Sequence, residues 1–563
     1  MILFACSGAH SLMAQPGMDY LRTPEARFEN LAGYDFEPHY VFVDDYEGGQ
    51  LRMHYIDEGP ASGPTVLMIH GNPTWIYQFR HVILPLNVAG YRTIAVDLIG
   101  MGRSDKPAAF DDYTYDRHVG WVSQLFAQLD SALDLGPVVI FGHDYGTPIG
   151  IRLMNEYFPD RFDAFINANA SLPDGTFISS VHLNWRQFVR DNPDVPVGHI
   201  ISSQLNEPLT AEELYAYYAP WPDSAYKSAI RSFPEMVPES PDAPEALANR
   251  AAWSYIEGFA KPFMTIFGQA DLSLFDARRD FIERVPGAYG QPHPQLRVRH
   301  YAPEDDPNAV AMETRTFLDD LYHADTFTNL QYDEFETGFG QFVAGGEDCS
   351  WNADREAVRI QGNNGAASSL VQALPMDLRG YDVLKVAFRY EAEGLETGEA
   401  FVLELWDGSS WIDILTLLAD TDFANGVWDY GFARIEKDSI PFAPDARIRV
   451  RCAASASDDA VYIRDIGLYA RGAGITNVAR MPSLAGQVNV FPNPSQASFR
   501  VVLPADFRGT FSILNAAGRE ELHGIFQGPV LELNLSAFPA GNYYLRLKEA
   551  QQSRQLVKPL IKQ

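Results

Sequence analysis

Residues 138–153 read VVIFGHDYGTPIGIRL, and this stretch constrains the fold more than any other part of the chain. β-branched and aromatic residues come first, then the cluster Gly142-His143-Asp144-Tyr145-Gly146, then residues with helical spacing. A strand that passes into a helix within so few residues needs a sharp turn, and a glycine on each side of Asp144 permits one. The pattern therefore predicts that the carboxylate of Asp144 lies at the N-terminus of a helix.

The first part of the chain, residues 17–325, alternates short apolar runs with amphipathic stretches. The clearest runs are PTVLMIH (64–70), RTIAVDL (92–98), PVVIFGH (137–143), DAFINANA (163–170) and KPFMTIFG (261–268). This alternation predicts an α/β fold, in which helices cover both faces of a mostly parallel sheet. Residues 172–255 interrupt the alternation and are rich in Trp, Tyr and Pro, so we expect a helical cap there.

The charge and the apolar runs exclude two kinds of partner. The chain has 74 acidic and 43 basic residues, for a formal net charge of −31, so nucleic acid would be repelled. No apolar run approaches the roughly 20 residues that a membrane-spanning helix needs. The sequence also shows no metal-ligand cluster, and we expect neither a metal nor a cofactor.

A carboxylate at such a turn favours one kind of chemistry. Backbone N–H groups and the helix dipole stabilise its anionic form. Attack on an ester carbonyl would give an anhydride, whereas attack on a saturated carbon that bears a leaving group gives an alkyl ester of the enzyme. Water must then cleave that ester, which requires a base and an oxyanion hole. Asp144 therefore predicts a hydrolase of alkyl halides or epoxides.

Two further segments, MIHGNPTW (68–75) and DLIGMGRSDKP (97–107), each follow a predicted strand. With the N-terminal MDYLRTPEARFENLAGYDFEPHYV and the cap segment 209–237, they resemble the haloalkane dehalogenases, a family of α/β-hydrolases, and within it the subfamily of the 1,2-dichloroethane-degrading enzyme. The resemblance covers about residues 18–325. It implies an oxyanion hole made by the backbone N–H groups of Asn72 and Tyr145.

The resemblance also implies the other two members of a catalytic triad. In this fold the acid and the histidine follow the nucleophile along the chain. Asp271, just past a predicted strand, is the implied acid, although it can also be the N-cap of a helix. His300 is the implied base, with His293 as the alternative. Arg299 precedes His300 where the family usually has glycine, and the preceding strand, where some relatives carry the acid, ends in asparagines.

Three residues are expected to bind the departing halide: Trp185 in the cap, Asn72 and Tyr145. The family usually has tryptophan directly after the nucleophile, so Tyr145 is a departure. A hydrogen bond to a charged group contributes roughly 1.5–3 kcal/mol, which corresponds to about ten- to a hundredfold in rate. The departure should therefore slow the reaction without abolishing it. Trp185 can alternatively be a packed cap aromatic.

Two other functions stay open on the sequence alone. An epoxide hydrolase would use the same Asp-His-Asp triad, with Tyr215, Tyr217 and Tyr218 as possible proton donors to the alkoxide. A surface protein with an inactive hydrolase domain is the second alternative. Halide release, diol formation or neither would distinguish the three.

The character of the sequence changes near residue 325. Residues 330–472 contain short strand-like segments separated by Gly, Asp and Asn turns, which predicts a β-sandwich. The segment resembles jelly-roll modules of the MAM or carbohydrate-binding kind. Its exposed tryptophans can stack on a surface glycan or belong to the core; they are Trp406, Trp411 and Trp428. Two cysteines, Cys349 and Cys452, can pair if the protein is exported.

The C-terminal residues 486–563 follow a linker at 473–485. They carry VFPNPSQASFRV, FSILNAAGRE, LNLSAFPAGNYYLRL and a basic tail, and they resemble the C-terminal sorting domain of type IX secretion. The resemblance implies that the secretion machinery is a partner and that the protein is secreted or held at the cell surface. Residues 1–16 are apolar with small residues, which favours a signal peptide, although a basic start is lacking.

Overall fold

The computed structural model describes residues 17–322, 325–346, 348–362, 368–454, 456 and 458–472, followed by 489–491, 498–503, 508–515, 520–527, 530–549 and 555–562. The chain divides into two compact units between Gly474 and Ile475. The predicted signal peptide and linker lie outside the described residues.

An eight-stranded sheet forms the centre of the α/β region, which we define as residues 17–322. The strands of the region are β1 (Tyr20–Leu21), β2 (His39–Asp44), β3 (Gln50–Glu58), β4 (Thr65–Ile69), β5 (Arg92–Val96), β6 (Lys106–Pro107), β7 (Val138–His143), β8 (Ala164–Ala168), β9 (Phe263–Gly268) and β10 (Gln295–Leu296). The order in the sheet is β10-β9-β8-β7-β4-β5-β3-β2, and β1 pairs with β6 separately. The strands from β10 to β5 run parallel, whereas β2 and β3 are antiparallel.

Helices occupy the segments between these strands. They are α1 (Arg80–Val88), α2 (Tyr115–Leu133), α3 (Gly146–Glu156), α4 (Ser180–Asp191), α5 (Val197–Ser203), α6 (Ala211–Tyr218), α7 (Ser228–Ser232), α8 (Pro244–Ile256), α9 (Ala277–Arg284), α10 (Ala302–Asp305) and α11 (Pro307–Tyr322). Helices α4 to α8 come between β8 and β9, at the interruption that the sequence predicts to be the cap.

The five central strands are buried along their whole length: β4, β5, β7, β8 and β9. Packed helices account for this burial, since α1 contacts α11, and α3 contacts both α2 and α8. A parallel sheet covered on both faces selects continuous apolar runs, because neither face meets water. This is why the strands were visible in the sequence as unbroken runs.

Arg80, at the start of α1, ties the cap to the body of the α/β region. Its buried guanidinium donates to Glu304 of α10 at 2.5 and 2.8 Å and to Glu213 of α6 at 2.9 Å. Tyr217 of α6 donates to the same Glu304 at 2.6 Å. The two carboxylates compensate the buried charge, so the cap is fixed to the body on this side.

The next region, residues 325–472, consists of two antiparallel sheets. Its strands are β11 (Thr328–Glu334), β12 (Phe342–Ala344), β13 (Cys349–Asn352), β14 (Ala357–Gln361), β15 (Ser369–Gln372), β16 (Val383–Glu393), β17 (Ala400–Trp406), β18 (Trp411–Leu418), β19 (Trp428–Glu436), β20 (Ile448–Cys452) and β21 (Ala460–Arg471). One sheet has the order β13-β14-β21-β16-β19 with β11 on β21, and the other has the order β12-β15-β20-β17-β18.

Apolar side chains from both sheets form one shared core, as in a β-sandwich. Phe388 of β16 and Phe401 of β17, for example, come from opposite sheets and lie 6.3 Å apart between ring centroids. Cys349 and Cys452 are both buried in this core as free thiols, so the pairing that the sequence allows does not form here. Burial raises the pKa of each thiol.

The second unit contains two small antiparallel sheets. Its strands are β22 (Asn489–Phe491), β23 (Ser498–Val502), β24 (Arg508–Asn515), β25 (Glu520–Gln527), β26 (Val530–Asn534), β27 (Gly541–Glu549) and β28 (Gln555–Lys562). The sheet orders are β22-β23-β26 and β25-β24-β27-β28. In the parts of the chain that the structure describes, no helix has the length and apolar character to cross a membrane.

Candidate active site

The parallel strands bring distant parts of the chain to one edge of the central sheet. Register pairs place Ile69 of β4 beside Gly142 of β7, and Ala168 of β8 beside both His143 and Ile266. The outermost strand of the sheet, β10, pairs its last residue, Leu296, with Gly268 at the end of β9. Residues that follow the carboxyl ends of these strands therefore converge, which is where α/β proteins bind ligands. They include Gly71, Asn72, Asp144, Asn169, Asp271 and His300.

Asp144 sits on the sharp turn between β7 and α3. Its φ is 51°, a left-handed conformation that L-residues rarely adopt and that is typically found at functional sites. Close approach explains the two neighbouring glycines, because a Cβ on Gly146 would lie 2.0 Å from the carbonyl oxygen of Ile69, and one on Gly142 would lie 2.6 Å from Thr147 Cα. The turn thus exposes the Asp144 side chain at the sheet edge, 14% accessible to solvent.

The three predicted triad side chains come together. His300 Nε2 lies 3.4 Å from Asp144 Oδ2, and His300 Nδ1 donates to Asp271 Oδ2 at 2.9 Å. Because Nδ1 carries the proton in that bond, Nε2 is the nitrogen that faces the nucleophile. Asp271 is buried, and its other oxygen accepts from the hydroxyl and N–H of Ser273 and the N–H of Leu274.

The charges of the triad shift the pKa of each member. Burial alone would raise the pKa of Asp144, but the hydrogen bond and positive charge of His300 outweigh it and lower the pKa. Asp271 behaves in the same way, with its pKa well below the ordinary value. Burial alone would lower the pKa of His300, whereas the charge of Asp271 and the contacts with Asp144 raise it to about 10. The resting triad therefore holds two carboxylates and an imidazolium.

The loop after β4 supplies a donor to the nucleophile. The backbone N–H of Asn72 donates to Asp144 Oδ1 at 2.9 Å. His70 fixes this loop, because its Nδ1–H donates to Gly71 O at 2.8 Å while its Nε2 accepts from the N–H of Leu98. A Cβ on Gly71 would lie 2.2 Å from Asp144 Oδ1, so only glycine allows the loop this close. Tyr145 is the N-cap of α3, which leaves its N–H outside the helix's own hydrogen bonds.

Comparisons with known proteins show the family of the α/β region. Residues 64–285 match a family model described as the alpha/beta hydrolase fold. The haloalkane dehalogenase of Mycobacterium marinum is 44% identical to this chain over 296 residues, which cover 98% of that protein and 52% of this chain. That of Psychrobacter cryohalolentis is 42% identical over 305 residues, which cover 99% of that protein and 54% of this chain. The chain belongs to the haloalkane dehalogenase family.

A solved structure agrees with this membership. The haloalkane dehalogenase of Paraglaciecola agarilytica NO2 matches with a TM-score of 0.50 and 27% identity, covering 54% of this chain and 100% of that one. The predicted α/β-hydrolase fold, followed by all-β regions, is thereby confirmed. The dehalogenase part accounts for about half of the chain, and the two β-rich regions are additional to it.

The C-terminal part has its own match. Residues 489–563 match the family model described as the secretion system C-terminal sorting domain. The prediction of export by type IX secretion, to the cell surface or beyond it, is confirmed.

Two of the three predicted halide ligands have unused polar atoms. Tyr145 is 8% exposed, and its hydroxyl has no hydrogen-bond partner among the described residues. The amide of Asn72 makes one long bond, from Nδ2 to Ile230 O at 3.3 Å, and its Oδ1 has no partner in the described chain. The ring of Tyr145 contacts the ring of Phe233 edge-on, with 4.9 Å between the centroids. Because Asn72 bonds Ile230, both predicted ligands contact the same cap segment, residues 230–233.

Trp185, the third predicted ligand, lies on α4 of the cap and is half-buried. Its ring stacks on Phe188 with 5.8 Å between the centroids, and it packs against the main core. This contact fits the packed cap aromatic that the sequence left as an alternative. Its part in halide binding stays a prediction.

The alternative histidine and two of the three cap tyrosines are engaged in hydrogen bonds outside the triad. His293 is buried, where it accepts from the N–H of Thr265 and donates to Ala288 O. Tyr217 donates to Glu304, and Tyr218 bonds His199 Nδ1 at 2.6 Å. Tyr215 is 49% exposed. The two hydrogen bonds weaken the case for Tyr217 and Tyr218 as proton donors at an epoxide.

The sequence reasoning missed two positioning residues. Asn169 follows β8 and donates from Nδ2 to Asp271 Oδ2 at 2.9 Å, at the strand end where some relatives carry the acid itself. His143 donates from Nε2 to the backbone oxygen of His300 at 3.0 Å, and burial lowers its pKa to about 4, so it stays neutral. Both contacts form because strand pairing brings distant residues together. Only Asn169 could have been found from the sequence, by its position in the predicted strand at 163–170.

Proposed function

We propose that the protein hydrolyses the carbon–halogen bond of haloalkanes to an alcohol and a halide, with Asp144 as nucleophile, His300 as base and Asp271 as the acid that orients it. One observation carries the proposal: the two oxygens of Asp144 have different partners. Oδ1 accepts from the Asn72 N–H, whereas Oδ2 faces His300. A carboxylate held this way has one oxygen, Oδ2, with no backbone donor among the described residues and available to attack, and the other, Oδ1, already in the position of an oxyanion.

In the first step, Asp144 Oδ2 displaces halide from the substrate carbon, forming an alkyl ester and releasing the anion. Tyr145 and Asn72, with Trp185, stabilise the halide as it leaves. Hydrogen bonds to a developing anion are strong in a site that excludes water. The unpartnered hydroxyl of Tyr145 and the underused amide of Asn72 support this assignment.

In the second step, His300 takes a proton from water, which attacks the Cγ carbonyl carbon of the ester. Charge develops on Oδ1, where the N–H groups of Asn72 and Tyr145 receive it. The tetrahedral intermediate collapses with cleavage of the bond from Cγ to the alkoxide oxygen, and the proton of its new hydroxyl passes to the alkoxide, which leaves the alcohol, the carboxylate and a protonated His300. Asp271 holds the imidazole in the required tautomer and stabilises its charged form.

A substrate panel tests the proposal against its two alternatives. Purified protein is incubated with brominated and chlorinated alkanes and, in parallel, with styrene oxide, and halide and diol are both measured. We expect halide from the alkanes. Diol without halide would instead support the epoxide hydrolase, and no product from any substrate would support the inactive surface protein.

The charged triad predicts the timing of proton release. His300, with its pKa of about 10, carries a proton at pH 8 in the resting enzyme. Esterification of Asp144 removes the contribution of that anion to the raised pKa of His300, while Asp271 remains, so the pKa of His300 falls and loss of its proton is favoured when the halide leaves. In stopped-flow experiments with a pH indicator, proton and halide should appear in the same phase. A proton that appears only together with the alcohol would contradict this scheme.

Replacing Tyr145 by phenylalanine should slow halide release by about ten- to a hundredfold, because one hydrogen bond to the anion is lost. The ring contact with Phe233 is preserved, so stability should change little. A matched control is Tyr255→Phe, which removes a hydroxyl that donates to Pro159 O away from the triad. If pre-steady-state halide release is equally fast in both variants, Tyr145 does not bind the halide.

We also propose the domain limits stated from the sequence: a hydrolase domain at 17–325, a sandwich module at 330–472 and a sorting domain at 486–563.

A surface glycan remains a proposed ligand of the sandwich, and it would stack on Trp406. Guanidinium groups lie over the other two tryptophan rings, Arg449 over Trp411 at 4.3 Å and Arg464 over Trp428 at 4.0 Å. Binding to an array of bacterial glycans, lost in Trp406→Ala, would test it.

A further inference from the structure

The chain between Asp271 and His300 docks on the β-sandwich. It contains α9 and the following loop, residues 286–293, and both touch β19 or its neighbours. Residues up to Gly474 form one compact unit, so the sandwich is part of the same body as the α/β region. Asp271 and His300, the triad members that act in the second step, thus flank a segment that is anchored to the sandwich.

The strongest anchor is a buried ion pair between α9 and β19. Arg278 donates to both carboxylate oxygens of Asp429, at 2.9 and 2.7 Å, and the two side chains are 1% and 2% exposed. The guanidinium also lies 4.5 Å from the ring centre of Phe275, in the turn that follows Asp271. Removing one partner of such a pair leaves the other charge buried without compensation.

Tyr430, the next residue on β19, anchors the loop. Its hydroxyl accepts from the N–H of Gly290 at 2.8 Å and donates to Gln291 O at 3.3 Å. Its ring meets His293 edge-on at 5.0 Å. Beside it, Tyr289 donates to Asp465 at 2.7 Å, so the loop is held by two hydroxyls from opposite sides of the interface.

Helix α11, the second helix after His300, is anchored as well. Asp320 of α11, 5% exposed, accepts from three cations of the sandwich: Lys385 at 2.8 Å, Arg434 at 3.0 Å and Arg471 at 2.6 Å. Three segments around the acid and the histidine therefore share ionic or hydrogen-bonded contacts with the sandwich.

These segments connect directly to the triad. Asp271 lies seven residues before Arg278, and the N–H groups of the intervening turn hold its carboxylate. The strand that leads to His300 runs beside β9, with the Ala270 N–H donating to Val298 O at 3.0 Å. A shift of α9 or of the loop would therefore move Asp271 against His300. Asp144 and Asn72 lie on the turns after β7 and β4, two strands that pair with neither β9 nor β10.

We propose that the β-sandwich is a positioning element of the active site. Through the Arg278–Asp429 ion pair and Tyr430, it holds the side chains of Asp271 and His300 in their positions relative to each other. The inference rests on the proposed function. Relatives matched over 98–99% of their length by half of this chain do without such a module. In this chain the module replaces solvent around α9 and carries the carboxylate that compensates Arg278.

The test uses two variants of the full chain, Asp429→Asn and Tyr430→Phe, with Asp413→Asn on the exposed face of β18 as the control. Rapid-quench experiments with a bromoalkane measure the halide burst, steady-state turnover and the alkyl-enzyme by intact mass. Misplacement of catalytic groups by about 1 Å costs up to a hundredfold in rate. We expect a burst of one halide per enzyme at the wild-type rate, turnover reduced about ten- to a hundredfold, and accumulated alkyl-enzyme. The control should behave like the wild type.

Two results would overturn the positioning role. One is a burst and a turnover that fall together, in proportion to the folded fraction measured by circular dichroism, since that indicates stability alone. The other is unchanged turnover in both variants. A wild-type chain that releases no halide from any haloalkane would overturn the proposed function itself, which separates the two failures.

Discussion

Replacing His300 by phenylalanine should stop the reaction after one halide per enzyme molecule. Asp144 can still displace the halide, because that step needs no base. Without the imidazole, water is not activated, and general-base catalysis contributes about a hundred- to ten-thousandfold. The alkyl ester should therefore accumulate, with the mass of the bound alkyl group on the peptide that contains Asp144.

The control for this variant is His199→Phe, at an exposed cap histidine that bonds Tyr218. It should turn over like the wild type. Continued steady-state halide release by the His300 variant, with no covalent adduct in intact-mass spectra, would contradict the role of His300 as the base.

Replacing Asp144 by asparagine should abolish halide release altogether, by at least about ten-thousandfold. The neutral amide is a poor nucleophile toward saturated carbon, although its size is unchanged and its oxygen can still accept from the Asn72 N–H. Neither a burst nor an adduct is expected. The fold should persist, because the turn and its glycines are unaltered.

Asp130→Asn provides the matched control, since Asp130 pairs with Arg161 away from the triad. Halide release should be unchanged there. A burst of halide from the Asp144 variant, at any rate near that of the control, would mean that another group attacks the substrate.

Much of the fold was predictable because buried parallel strands are continuous apolar runs. The segment 137–143 contains β7 (Val138–His143), and 261–268 contains β9 (Phe263–Gly268). The elbow was predictable for a local reason, since Gly142 and Gly146 are needed within five residues. The order of nucleophile, acid and histidine then followed from the family resemblance.

The supporting contacts were not predictable, because they join residues that are distant in sequence. Asn169 reaches Asp271 across 102 residues, and His143 reaches the backbone of His300 across 157. Such pairs depend on which strands are neighbours, and local patterns do not encode that order. The partner of Arg278 lies 151 residues away in another region. The composition of α9, an ordinary charged helix, therefore did not indicate that Arg278 is buried.

A single turnover in heavy-oxygen water tests whether Asp144 forms a covalent ester with the substrate. Enzyme in excess over a bromoalkane is allowed to react once in H₂¹⁸O, then digested, and the peptide containing Asp144 is analysed by mass spectrometry. We expect one heavy oxygen in the Asp144 carboxylate, because water attacks the ester at Cγ and its oxygen stays with the protein. Label found only in the alcohol, with none in Asp144, would contradict a covalent alkyl-enzyme.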